Sequence, residues 1–147
     1  MNGVRRQARA VAGPLLAPLA AAQPRFQRES RPQRRLDLRL RALADSRRMR
    51  LAPRALEFDD AHALEAESEA LDLKRFAAHV RAEHIPHALI VDCSGSDAVA
   101  ARYPEWLAAG IHVVTPSKHA GAGPLARFEA IREAARHGGQ FRYEATV

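Results

Sequence analysis

The residues best suited to chemistry lie in two short polar segments, each of which follows an apolar run. The first segment is Ser94-Gly95-Ser96, after the run HALIVDC, and the second is TPSK, which follows IHVV and ends in Lys118. Hydroxyl groups and an unhindered glycine backbone can contact a polar ligand closely. A lysine ammonium adds three donors and a compact positive charge. We predict that both segments face one bound molecule.

The apolar runs before these segments are typical of strands that are buried on both sides in a parallel sheet. Between the runs, the sequence predicts a helix that Ser96 or Asp97 caps, that Pro104 kinks and that Gly110 ends in a left-handed conformation. Ligands of such sheets bind beyond the carboxyl ends of the strands. Both polar segments are therefore expected to line one crevice.

The first half of the chain predicts a strand and a helix. Leu36, Leu38 and Leu40 alternate with charged residues, which indicates a half-buried strand that ends at Asp45-Ser46. Residues 52–70 have no firm period and predict a loop with room for a short helix. Residues 71–84 have the apolar stripe of an amphipathic helix.

Further along the chain, residues 124–137 predict another helix, with Pro124 near its first turn and Gly138 after its end. The segment QFRYEATV then opens a last strand. Strands and helices that alternate with short connections predict an α/β fold with a doubly wound parallel sheet, here incomplete at both ends.

Composition narrows the class of protein. The chain has 147 residues, a net charge of +6 and a single cysteine, which excludes an internal disulfide framework and a multi-cysteine zinc site and favours a cytoplasmic location. No apolar run is long enough to span a membrane. Residues 1–54 hold 14 arginines against three acidic residues, so we expect residues 1–35 to form a basic, poorly ordered leader. A nucleic-acid arm and a transit peptide are the alternatives, and the near absence of aromatic residues there argues against nucleic acid.

The segment from Ile90 to Val147 resembles the nucleotide-binding domain of homoserine dehydrogenase, in the form fused behind aspartokinase in bifunctional enzymes. The resemblance rests on DCSGS, on GIHVVTPSKHA and on YEATV, which match a VDCTSS-like turn, a HVVTPNKKA segment and the start of a later strand in that family. LDLRLRALADSRRM is similar to the family's second strand and the turn after it. GPLLAPLAAAQ is similar to its first helix. The second part of the chain, residues 36–147, is thus identified as a Rossmann-like NAD(P)-binding domain without its substrate domain.

The resemblance implies an activity and a set of site residues. The activity is the NAD(P)-dependent interconversion of L-homoserine and L-aspartate 4-semialdehyde, in threonine and methionine biosynthesis, by an enzyme expected to be a homo-oligomer. Lys118 would lie close to the nicotinamide and the substrate, where its charge can stabilise a developing alkoxide. Arginine suits phosphate geometry, which favours NADP with NAD as the alternative. The implied cofactor-binding residues are Ser46, Arg47 and Arg48 at the 2′-phosphate, and Ser94, Gly95, Ser96 and Lys118 at the ribose and nicotinamide; Glu144 and the Val147 carbonyl match part of a sodium site.

Two departures from the family pattern leave a second hypothesis open. Gln7, Arg9 and Ala12 occupy the three positions of the glycine fingerprint, and Pro18 falls inside a degenerate first helix. The residues that match the family stop before its substrate-binding acids and its second lysine, so we expect no homoserine dehydrogenase activity from these residues alone. Whether the chain is an enzyme is thus left open. The alternative is a degenerate, non-enzymatic nucleotide-binding or interaction module.

Other reactive side chains have simpler interpretations. Cys93 is expected to be a small buried residue at a strand end, and Asp92 a loop-capping acid rather than a general base. His79, His84 and His87 have a loose metal-like spacing but are expected to be solvated.

Overall fold

The computed structural model describes residues 7–8, 37–56, 67–82 and 87–143, with side chains described from residue 39 onward. These ranges contain short strands and helices that alternate in the second half of the chain. The strands are β1 (Gln7–Ala8), β2 (Asp37–Leu38), β3 (Leu40–Ala44), β4 (Arg48–Leu56), β5 (Glu69–Ala70), β6 (Ala88–Val91), β7 (Ile111–Thr115) and β8 (Phe141–Tyr143). The helices are α1 (Leu73–Arg81), α2 (Asp97–Ala100), α3 (Tyr103–Ala108), α4 (His119–Ala122) and α5 (Leu125–His137).

The strands that carry the two polar segments pair in parallel, as predicted. β7 lies between β6 and β8, and its register pairs Ile111 with Ala88 and Val113 with Phe141. β1 pairs in parallel with β2 and approaches β6. The connections from β6 to β7 and from β7 to β8 are helical, which is the crossover that parallel strands require. The predicted α/β fold class is confirmed.

The prediction of a loop with room for a short helix in residues 52–70 was wrong at residues 52–56, which belong to β4, and at Glu69–Ala70, which form β5. β4 forms an antiparallel hairpin with β3. The pairing shifts between Leu40, which faces Leu56, and Ala42, which faces Leu51. Pro53 lies within this irregular stretch, where the missing N–H of a proline costs no ladder hydrogen bond. β4 depends on a partner strand and a turn, so it left no local period in the sequence.

Helix α1 matches its prediction and shows why that stretch folds as it does. The side chain of Asp72 accepts hydrogen bonds from the backbone N–H groups of Lys74 (2.9 Å) and Arg75 (3.0 Å), which satisfies donors at the start of the helix. Phe76, Ala77 and Val80 are buried, as the apolar stripe predicted. These side chains join the main core, whose largest buried members include Trp106, Tyr103, Phe76, Ile90, Leu107 and Ile131.

The segment between β6 and β7 forms two helices rather than one kinked helix. Ser96 caps α2, and Gly110 follows α3 with a φ of 80°, both as predicted. Pro104 lies in the first turn of α3, where a proline is tolerated because its N–H would have no helical partner. α5 was predicted within one residue, whereas α4 has four residues and was not predicted.

At the opposite end of β7, His112 gives folding a pH dependence. Its Nδ1 accepts a hydrogen bond from the Gln140 backbone N–H (2.9 Å), and the His87 ring stacks on it at 6.0 Å between centroids. Burial, and then the charge of His87, lower the pKa of His112. An unfolded histidine titrates near 6.5 and this one titrates lower in the folded state. We therefore expect stability to be full above pH 6.5 or so and to fall as the pH drops through the interval between the two values.

The measurement is the urea midpoint of unfolding at pH 7.5 and pH 5.5. His112→Asn keeps an acceptor near Nδ1 but cannot titrate, so the drop in midpoint should be smaller in this variant. An equal drop in both proteins would refute the assignment to His112.

Candidate cofactor-binding site

The two polar segments lie side by side at the carboxyl edge of the parallel sheet. The Asp92 backbone N–H donates to the Val114 carbonyl (2.9 Å), and the Thr115 hydroxyl donates to the Asp92 carbonyl (2.7 Å). The residues at which the two segments begin, Asp92 and Thr115, are therefore hydrogen-bonded neighbours. The expectation that they share an edge of the sheet is confirmed.

Asp92 shapes the first segment with its side chain. Its carboxylate is 5% exposed, and Oδ1 accepts from the Ser94 backbone N–H (2.8 Å) and the Ser94 hydroxyl (2.6 Å). The hydroxyl of Tyr103 donates to Oδ2. Burial and this carboxylate raise the pKa of Tyr103 far above its ordinary value, so the phenol stays a neutral donor. Asp92 is thus a loop-capping acid, as predicted.

The turn at Ser94, Gly95 and Ser96 presents its backbone to open space. Gly95 has a φ of 63°, a left-handed conformation that suits glycine, and a Cβ built on it would meet nothing within 4 Å. The Ser94 hydroxyl accepts from the Ser96 backbone N–H (3.2 Å), and the Ser96 hydroxyl accepts from the Val99 backbone N–H (3.4 Å). The serines build the turn, and Gly95 leaves its outer side accessible to a ligand.

The second segment is held in a similar way. The Thr115 hydroxyl accepts from the Ser117 backbone N–H (2.9 Å), and the Ser117 hydroxyl accepts from the His119 backbone N–H (3.3 Å). Lys118 is exposed at the start of α4 and makes no ion pair with any residue that the structure describes. Its ammonium is available to an anionic or oxygen-rich ligand.

A third turn follows β3 and holds the arginines singled out in the sequence. Asp45 Oδ1 accepts from the backbone N–H groups of Arg47 (2.7 Å) and Arg48 (2.6 Å), and these bonds hold the pKa of Asp45 below its usual value. Arg48 Nε lies 3.6 Å from Asp45 Oδ2, whereas Arg47 is exposed and unpaired with respect to the described residues. Ser46, which lies between Asp45 and Arg47 in the sequence, is also exposed.

The turn at Asp45 and the turn at Ser94–Ser96 border the same pocket. Asp45, Asp92 and Ser94 contribute polar groups to its wall. The remaining lining is apolar and includes Leu71, Leu73, Val91 and Val99. A mostly apolar lining with a few polar groups is typical of a small-molecule site. The pocket is small and marks where the first and third turns meet rather than the full extent of a ligand.

Comparison with known proteins decides the family. Residues 10–144 match the protein family described as homoserine dehydrogenase, NAD binding domain. The chain belongs to this family. This chain is 37% identical over 116 residues to a chloroplastic bifunctional aspartokinase/homoserine dehydrogenase of Daucus carota, and 30% identical over 129 residues to the bifunctional enzyme of Haemophilus influenzae.

The match covers only part of each relative. The alignments include 77% and 85% of this chain but 13% and 16% of the carrot and Haemophilus proteins. The chain therefore spans only a small part of the length of these bifunctional relatives.

Solved structures support the fold. A homoserine dehydrogenase from Thermoplasma acidophilum matches 95% of this chain and 44% of its own with a TM-score of 0.64 at 18% identity. A Candida auris protein of unknown function matches 97% of this chain and 39% of its own with a TM-score of 0.75 at 22% identity. A hyperthermophilic archaeal homoserine dehydrogenase in complex with NADPH also has a TM-score of 0.64, over 96% of this chain and 44% of its own at 17% identity. The prediction of a Rossmann-like cofactor-binding part of homoserine dehydrogenase is confirmed.

Several predicted features of the chain lie outside the described residues. They include Glu144 and Val147 of the predicted sodium site, Arg9, Ala12, Pro18 and His84. Gln7 lies in β1, and most of the predicted basic leader, residues 1–35, is likewise not described. The domain boundaries, the sodium site and the poor order of the leader stay predictions.

The remaining predictions concern metal sites, membrane spans, Cys93 and the cellular location. No group of three or more His, Cys, Asp or Glu residues within the described ranges is arranged to hold a metal ion. Across the same ranges, no helix combines the length and the apolar character needed to cross a membrane. Cys93 is half-buried rather than buried. The plant relatives are named chloroplastic, so a cytoplasmic location stays a prediction.

The sequence missed residues that organise the site. Asp45 could have been found, since an aspartate before a turn commonly accepts from N–H groups two and three residues later. Tyr103 carries no such local signal, because its partner Asp92 is eleven residues away on another element.

Proposed function

We propose that this domain binds NADP across the turns that follow β3, β6 and β7, and that it is the cofactor half of a homoserine dehydrogenase. The observation that carries the proposal is the pairing of β6 with β7, which brings the Ser94–Ser96 turn and the Thr115–Lys118 segment to one edge. The pocket between Asp45 and Ser94 supports the same ligand position. The NAD-binding family to which the chain belongs supports the ligand class.

Within this proposal, the Asp45 turn contacts the adenosine side of the cofactor. Arg47 and Arg48 are exposed there, and their forked donors fit a 2′-phosphate, which favours NADP over NAD. Ser46 lies in the same turn. The Ser94–Ser96 turn contacts ribose, and Lys118 approaches the nicotinamide.

We propose that the whole protein, of which this chain covers a part, catalyses the interconversion of L-homoserine and L-aspartate 4-semialdehyde in threonine and methionine biosynthesis. The bound cofactor supplies the hydride acceptor or donor for this redox step. The ammonium of Lys118 donates a hydrogen bond to the substrate oxygen and stabilises negative charge on it while the carbon–hydrogen bond breaks or forms. Glu144 and Val147 would supply oxygen ligands to sodium. A homo-oligomer and a cytoplasmic location complete this proposal.

Titration of NADPH into the purified chain, followed by the fluorescence of the cofactor, tests the proposal. Saturable binding supports it. The alternative is a degenerate, non-enzymatic module that binds a nucleotide weakly or only pairs with another chain, which Gln7 and Arg9 at positions of the glycine fingerprint favour. Absence of binding at millimolar NADPH would support that alternative and refute ours.

If Arg47 and Arg48 bind the 2′-phosphate of NADP, their removal should weaken the binding of NADPH but not that of NADH. Replacing both Arg47 and Arg48 with alanine should raise the Kd of NADPH by about 10- to 100-fold, since we expect these two exposed side chains together to contribute about as much as one well-formed charged hydrogen bond, roughly 1.5–3 kcal/mol. The Kd of NADH, which has no 2′-phosphate, should change little. Arg54→Ala, an exposed arginine on the same strand, is the matched control and should leave both constants unchanged. Equal weakening of NADPH and NADH would contradict the assignment.

A further inference from the structure

Arg127 and Asp97 form a two-point ion pair beside the proposed cofactor site. Arg127 Nη1 donates to Asp97 Oδ1 (2.6 Å) and Nη2 donates to Asp97 Oδ2 (3.0 Å). The two residues are 30 positions apart in sequence. Asp97 directly follows the Ser94–Ser96 turn, and Arg127 lies in the first turn of α5. The pair therefore joins α2, which begins after the first of these turns, to α5, which follows α4 along the chain.

The backbone around the pair is adapted to it. A Cβ built on Gly123 would lie 2.9 Å from Arg127 Nη1 and 2.9 Å from the His119 carbonyl, so only a glycine lets the guanidinium pass this close. His119 Nδ1, on α4, lies 3.8 Å from Asp97 Oδ1. Three elements, α2, α4 and α5, thus meet at one carboxylate.

The ion pair is expected to affect the local order of the helices that it joins more than the overall stability of the fold. The Arg127 side chain is 15% exposed but that of Asp97 is 62% exposed, and an ion pair with such an exposed member contributes little to global stability. The hydrogen bonds from Arg127 lower the pKa of Asp97, so the carboxylate stays charged at neutral pH. Helices α2 and α4 have four residues each, which is too short for either to persist without tertiary contacts.

We propose that Asp97 and Arg127 are positioning residues, which hold the Ser94–Ser96 turn and the Thr115–Lys118 segment at the separation that a nicotinamide dinucleotide requires. This inference rests on the proposed cofactor site. The pair acts by fixing α2 and α5 to each other, and α4, which directly follows Lys118, is held between them. Loss of the pair loosens both turns, and the cofactor must then order them when it binds.

The test uses the full chain and NADPH at a temperature where circular dichroism shows every variant folded. Arg127→Gln and Asp97→Asn should each raise the Kd by about three- to tenfold, the cost of ordering a few groups on binding. The double variant should be no worse than either single variant, since both remove one interaction. Arg127→Lys, which keeps the charge without the fork, should recover part of the affinity.

A ligand-free readout separates positioning from general stability. Amide hydrogen exchange in residues 94–100 and 116–122 should be faster in the variants, while the urea midpoint changes little. Arg136→Gln removes a similar exposed pair with Glu133 (2.6 Å) on the same helix, away from the turns, and should alter neither measurement.

The outcomes distinguish the two proposals. If the parent chain fails to bind NADPH, the proposed function and this inference are both overturned. If the parent binds but Arg127→Gln and Asp97→Asn stay within twofold of it, only the positioning role is overturned. Additive losses in the double variant would also overturn that role.

Discussion

Replacing Gly139 with alanine is expected to lower the free energy of unfolding by about 3 kcal/mol or more, at the upper end for overpacked sites. Gly139 is buried between the end of α5 and β8, and its backbone N–H donates to the Leu107 carbonyl (2.7 Å). A Cβ at this position would lie 2.0 Å from the Ile111 carbonyl oxygen and 2.5 Å from its carbon. Backbone atoms of a central strand cannot move aside without breaking the pairing of β7.

The measurement is chemical denaturation of the parent chain and the variant. Gly121→Ala is the matched control, because Gly121 is exposed in α4 and its Cβ would meet nothing within 4 Å. Alanine has the better helix propensity there, so the control should be neutral or slightly stabilising. A loss below 1 kcal/mol for Gly139→Ala would show that β7 and α5 can separate more easily than their packing indicates.

The second large effect is expected from Tyr103→Phe, which removes one oxygen atom from the core. The Tyr103 ring is fully buried and packs on Trp106 and Phe141 at 5.9 and 5.8 Å between centroids. Phenylalanine keeps these contacts but leaves Asp92 Oδ2 without the hydroxyl donor. Loss of a hydrogen bond to a buried charged group costs roughly 1.5–3 kcal/mol.

Because Asp92 shapes the Ser94–Ser96 turn, Tyr103→Phe should also weaken NADPH binding while the protein remains folded. Denaturation and NADPH titration of the same samples measure the two effects. Tyr143→Phe is the control, since Tyr143 is 53% exposed and its hydroxyl has no described carboxylate partner. If both substitutions have the same small effect on stability, the Tyr103–Asp92 bond does not stabilise the fold as we infer.

The features that could be predicted from the sequence are those that depend on residues close to one another along the chain. The apolar runs of β6 and β7 and the stripe of α1 depend on local burial, and Ser96 and Gly110 are local signals for helix ends. From these elements the common edge follows through the geometry of parallel strands alone.

The features that it missed depend on partners far along the chain. β4 exists because the Asp45 turn folds Arg48 to Leu56 back on β3. The bond from Tyr103 to Asp92 and the pair of Arg127 with Asp97 join residues on separate elements. No periodicity in one segment reports a hydrogen bond with another, so these contacts require the folded coordinates.

Asp92 has one more consequence, which concerns motion. Its carboxylate holds Ser94 and its carbonyl accepts from Thr115, whose hydroxyl in turn accepts from Ser117. A shift of this single residue would therefore displace the Ser94–Ser96 turn and the Thr115–Lys118 segment together, and with them the two parts that we propose contact the ribose and the nicotinamide.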